Sequence, residues 1–158
     1  MVMDEFTKQE DLEKKLNYFL KKNVFAVKFC MDMIYIAHLW DDLVDKDKNR
    51  TSEDISTAFK IIIVGIGENP FYTSNYLILK TTLINIILQW EDANVLEKSE
   101  NEHDVQMSWM LRAGIIQLIS TCAFLVGGWD WSKEIGPSIR RLYEEILSEF
   151  LEEMKCQI

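Results

Sequence analysis

Apolar residues recur at steps of three and four along most of this chain, the spacing that lines one face of a helix. The pattern predicts a first helix over about Thr7 to Lys22. Thr7 and Glu10 form a capping-box pair at its start, Leu12, Leu16, Phe19 and Leu20 make its apolar stripe, and Asn23 ends it. A second helix runs from about Val24 to Lys46 and is apolar nearly all round, from Phe25, Val27 and Phe29 to Ile34, Ile36, Leu39 and Trp40. Such a helix belongs at the centre of a bundle.

A loop through Lys46 to Thr51 leads to a third helix from about Ser52, which supplies the cap, to about Gly65-Ile66-Gly67. Its β-branched run Ile61-Ile62-Ile63-Val64 would suit a strand equally well. No partner strand is visible elsewhere, so helix is the preferred reading. Asn69-Pro70 starts a fourth helix, with proline favourable in the first turn, reaching about Trp90 or beyond. The polar stretch Glu91 to Asp104 predicts the longest loop. A fifth helix covers about Val105 to Val126 and stops at Gly127-Gly128. The sixth follows Trp129-Asp130-Trp131, is capped at Ser132 or Asp130, bends or breaks at Gly136-Pro137 and reaches about Lys155. The expected fold is all-α: one domain over residues 1–158, a bundle of about six helices with the long second helix central.

Polar stripes interrupt three of these helices. The second carries His38, Asp41 or Asp42, and Asp45; the fourth carries Thr81, Asn85, Gln89 and Asp92; the fifth carries Asp104, Ser108 and Arg112. Buried polar groups require hydrogen bonds and buried charges require partners. The three stripes are therefore expected to face one another across an interior cleft. The aspartates also sit near a helix C-terminus, where the macrodipole repels anions, so a divalent cation or a nearby Arg or Lys must offset them.

Asp41, Asp42 and Asp45 are the candidate metal ligands, since hard carboxylate oxygens suit magnesium. Arg50 and Arg112 are candidate phosphate-binding residues through charge-assisted contacts. His38, Asn85, Gln89, Asp92 and Ser108 would line the site. Each has a structural alternative. The aspartates could end a helix in solvent beside Lys46, Lys48 and Arg50. Asn85 and Gln89 could form the exposed side of an amphipathic helix, and Arg112 could pair with Asp104 or Glu102. His103 is assigned to the polar loop, and the tryptophans are read as core or interface anchors. No nucleophile stands beside a base, so no catalytic residue is named.

Composition narrows the function classes. A chain of 158 residues, 48% of them hydrophobic, can bury one domain-sized core. A net charge of −9 disfavours nucleic-acid binding and adhesion to an anionic membrane. Met1 to Glu13 lacks a basic start and apolar run, and Asp32, Asn85, Gln89 and Arg112 interrupt the apolar stretches, so neither a signal peptide nor a membrane span is expected. Cys30, Cys122 and Cys156 show no disulfide or zinc spacing, which makes a reducing, cytoplasmic setting the default.

The run Asp41-Asp42-Leu43-Val44-Asp45, with Arg50 after four further residues, resembles the first aspartate-rich motif of class I isoprenoid synthases, in particular the trans-prenyl diphosphate synthases. The resemblance implies an all-helical bundle in which Asp41, Asp42 and Asp45 hold magnesium against a diphosphate that Arg50 contacts. Thr51 stands where the family has a second arginine, and no second DDxxD follows. The all-α nucleotide pyrophosphatases use paired acidic helix motifs for similar chemistry, for which only Glu145, Glu149 and Glu152 offer themselves. The leading expectation is thus a magnesium-dependent site for a phosphorylated small molecule. The alternative is a non-enzymatic acidic helical protein that binds a partner or forms a homo-oligomer, with no metal site.

Overall fold

Asparagine and threonine side chains cap several helices in this fold, Asn69 where the sequence places it and Asn23 and Thr51 at positions that differ from the sequence expectation. The computed structural model describes residues 5–46 and 48–156. The start of the N-terminal acidic stretch and Asp47 lie outside the described residues. Helix α1 is Glu5–Phe19, and the Thr7 side chain expected to cap it lies outside what is described. Lys21 and Lys22 turn the chain with φ of 50° and 59°. Asn23 then begins the next helix rather than ending the first: its side chain accepts from the Ala26 amide at 3.0 Å. Helix α2 is Val24–Asp45 and stops at Lys46, whose φ of 58° closes the turn onto the Asp42 carbonyl.

Helix α3, Ser52–Lys60, is capped by Thr51, not Ser52. Thr51 Oγ1 accepts from the Asp54 amide at 3.1 Å, and Asp54 returns the bond to the Thr51 amide at 2.8 Å. The ambiguous run 61–64 is helical, as a π-helical turn over Ile61–Gly65 that continues into the short α4, Ile66–Glu68. The buried Asn69 caps α5, Pro70–Ser74, by accepting from the Phe71 and Tyr72 amides, and its amide donates to the Phe25 carbonyl at 2.9 Å. The expected fourth helix is broken at Asn75, whose side chain donates to the Phe71 carbonyl at 2.8 Å and so ends α5.

Helix α6 is Tyr76–Leu96, and α7, Glu102–Arg112, begins at an Asn101 cap. The long loop expected over residues 91–104 shrinks accordingly, because its polar side chains sit on helix surfaces, and His103 belongs to a helical first turn. A 41° bend separates α7 from α8, Gly114–Arg140. Helix α8 consists of two helical segments that meet at the expected Gly127-Gly128 stop, where Gly128 takes the non-helical φ 76° and ψ −170°, and the second segment carries Pro137. Helix α9 is Leu147–Cys156. The chain is all-α, with no strand among the described residues and more helices than the six expected.

The core lies where α1, α2 and α8 meet. Leu16 of α1, Leu20 in the turn that follows it, Phe29 and Cys30 of α2, and Leu118, Ile119 and Cys122 of α8 are all essentially inaccessible. Helix α2 packs on α1, α3, α5 and α8, while α8 also supports α6 and α7. The central place is thus shared by two helices. Helix α2 is not buried all round, since Val24, Phe25, Leu43 and Val44 are exposed. Trp131 ties the far end of α8 to α1 by donating to the Phe19 carbonyl at 2.8 Å.

Gly127 is required by that tie. A Cβ there would fall inside van der Waals range of Trp131 Cδ1, Cγ and Cβ. Gly127→Ala is therefore expected to displace the indole and to destabilise the fold by about 2 kcal/mol, the usual scale of overpacking. Urea unfolding followed by tryptophan fluorescence checks this; an unchanged midpoint would contradict it.

Candidate functional site

The aspartate-rich end of α2 folds inward, and two sets of cations meet it. Asp42 is buried at 5% exposure. Its Oδ2 accepts from Arg50 Nε at 2.6 Å and from Arg50 Nη2, and its Oδ1 lies 3.6 Å from Lys48 Nζ. Lys48 and Arg50 both lie against the helix end, so the two charges that follow the motif answer the charge within it. The bond from Asp42 holds the Arg50 guanidinium above its ordinary pKa.

Asp41 points the other way, into the seam between α2, α6 and α7. Its Oδ1 accepts from Trp90 Nε1 at 3.1 Å and sits 3.5 Å from Arg112 Nη1. Trp90 also packs on Trp40, with ring centroids 4.0 Å apart. Arg112 Nη2 pairs with Glu97 and bonds to Asn94 Oδ1 at 3.3 Å. Burial alone would lower the Arg112 pKa, but Glu97, Asp41 and Asp45 together hold it above the ordinary value. Arg112 Nε and Trp109 Nε1 are buried with no hydrogen-bond partner among the described residues. Each such donor carries a desolvation cost of about 1–3 kcal/mol.

Of the three expected stripes, the structure joins two. Arg112 meets the α2 carboxylate Asp41, with Glu97 in place of the Asp104 or Glu102 weighed from sequence. Asp104 instead accepts from Ser99 at 2.7 Å, and Glu102 from Gln106. The α6 stripe does not join them. Asn85 and Asp92 are exposed, and Gln89 donates to Gln117 at 3.4 Å. Ser108 is fully buried but donates within its own helix, to the Val105 carbonyl at 2.7 Å. Asp45 is exposed. His38 is also exposed; desolvation by the helix end, with Lys48 and Arg50, keeps its imidazole below the ordinary pKa against the pull of Asp42 and Asp41.

Sequence reasoning missed Trp90, Asn94 and Glu97 as partners. Their spacing of four and three is the signal, and it becomes readable once α6 is continued to Leu96. Tyr143 was also missed. Its hydroxyl lies 3.4 Å from the Trp109 carbonyl and donates to Glu145, and burial followed by Glu145 pushes the phenol far above its ordinary pKa.

The fit of magnesium to this arrangement is poor. Asp42 is turned to Arg50 and Asp41 to Trp90 and Arg112, so the carboxylates diverge. Among the described residues no three His, Cys, Asp or Glu side chains are placed to hold one ion. A shallow groove of about 330 Å³ at the α8 kink, lined by Phe124, Trp129, Ser132 and Lys133 among others, contains none of the expected site residues.

Two outcomes test this geometry. Asp42→Asn and Arg50→Gln, alone and together, should show a coupling energy of about 1–3 kcal/mol in a double-mutant cycle, and strictly additive losses would contradict the pair. The raised Tyr143 phenol keeps its proton in the fold where the unfolded chain loses it, so stability should fall as pH rises above about 10. Tyr143→Phe should flatten that loss in a melting series from pH 8 to 11. No protein family, curated protein or solved structure matches the chain.

Proposed function

We propose that this chain is a non-enzymatic helical assembly protein, which acts by packing exposed apolar helix surface against protein. The observation that carries the reading is the outer half of α6, where Leu77, Ile78, Ile84, Ile87, Leu88 and Val95 are all exposed. Phe59, Ile62, Ile63 and Val64 add a second exposed apolar surface on α3 and the π-helical turn. Contiguous apolar surface of this kind marks interaction sites in folded proteins. Among the described residues no single helix is long and apolar enough to cross a membrane, which favours protein as the covering surface. The aspartates then have a structural role, closing the bundle through Arg50 and Arg112.

A melting screen tests the reading against magnesium–diphosphate binding. Assembly predicts a melting temperature that rises with protein concentration, because association stabilises the folded chain by mass action. It also predicts no response to magnesium with pyrophosphate. A magnesium- and pyrophosphate-dependent rise that Asp42→Ala abolishes would overturn the assembly reading and support a diphosphate site.

A further inference from the structure

The exposed half of α6 has an internal symmetry that points to its partner. Leu77, Thr81, Ile84, Leu88, Glu91 and Val95 are all exposed and follow steps of four, three, four, three and four. Those steps average 3.6 residues, one helical turn, and so form a straight seam along one side of the helix. Its four apolar members are well exposed: Leu77 77%, Ile84 46%, Leu88 51% and Val95 72%. The Thr81 hydroxyl donates to the Leu77 carbonyl at 2.8 Å, which satisfies it within its own helix. The opposite side of α6 carries the buried Leu79 and Ala93 and packs on α7 and α8. The seam is therefore centred on the outward face.

This order of steps reads the same in both directions about Ile86. Placed antiparallel on a second copy of itself, the seam sets Leu77 against Val95 of the second copy and Ile84 against Leu88 of the second copy. At 100° per residue, Lys80 and Glu91 flank the seam on the same side. A two-fold axis returns that flank to itself with its ends exchanged. Lys80 then lies about 1.5 Å along the axis from the height of Glu91 in the second copy, one helical rise. Two Lys80–Glu91 contacts form per pair, and a parallel arrangement forms neither.

We propose that α6 pairs antiparallel with α6 of a second copy across a two-fold axis at Ile86, with Lys80 and Glu91 setting direction and register. Isologous pairing of one self-complementary patch is the commonest route to a homodimer. The inference rests on the assembly reading and specifies its partner.

Sedimentation equilibrium of the full chain tests it, using wild type, Lys80→Glu, Glu91→Lys and the double exchange. The wild type is expected to be a dimer. Each single variant puts two like-charged contacts into the pair and should weaken dimerisation about tenfold. The double exchange recreates both opposite-charge contacts and should return the affinity to within about threefold of wild type. Far-UV circular dichroism confirms that the exposed substitutions leave the fold intact. A dimer that ignores the single variants, or a double exchange that fails to recover, overturns this pairing while leaving assembly through another face standing. A chain that stays monomeric at hundreds of micromolar overturns the pairing too, and the magnesium and pyrophosphate melting result decides the broader reading separately.

Discussion

A carboxylate buried at the C-terminal end of a helix is unstable unless a cation reaches it, because burial and the helix dipole act against the charge together. Asp42 is such a carboxylate, the half-exposed Asp41 stands beside it, and the surrounding chain brings cations to both. Asp42 draws Lys48 and Arg50 back across the turn, which fixes where α3 can start. Asp41 holds Trp90 and Arg112, which links α2 to α6 and to the junction between α7 and α8. Glu97 and Asn94 complete the set from the last turns of α6. The polar cluster thus closes one end of the bundle, while the apolar contacts of α1, α2 and α8 fill its middle.

This arrangement changes what an aspartate-rich motif means here. Acidic groups at these spacings are compatible with metal ligation and with ion pairing alike, and the choice depends on which cations the fold delivers. Here arginines arrive from both sides. A carboxylate bonded in this way is costly to separate from its partner, since the bare guanidinium would remain partly buried. The exposed apolar half of α6 is what the proposed assembly rests on, because no described residue covers it.

The helical class was legible from spacing alone, as were the extent of α2 and the start of α5 at Asn69-Pro70. Polarity was a poorer guide to boundaries. Glu91 to Leu96 and Glu102 to Asp104 look like loop because they are polar, yet they lie on helix surfaces. Gly127-Gly128 looks like a stop and is one, since Gly128 leaves helical geometry there and the chain resumes as a second helical segment. In the site, the meeting of Arg112 with an α2 carboxylate could be anticipated from the need to pair buried charges. The identity of that carboxylate, and the part played by Glu97, depended on how far α6 extends. For Asn85 and Asp92 the exposed amphipathic face, weighed beside the site-lining role, is where the structure puts them.

The indole N–H of Trp90 reports on Asp41 directly, through the 3.1 Å bond between them. Its nuclear magnetic resonance signal, followed while magnesium and pyrophosphate are added to the full chain, tests whether the carboxylate is held by the protein. The ion-paired arrangement predicts a signal that stays in place through millimolar magnesium and pyrophosphate and moves when Asp41 is changed to asparagine. A saturable shift on addition of magnesium, lost in the Asp42→Asn variant, would contradict it.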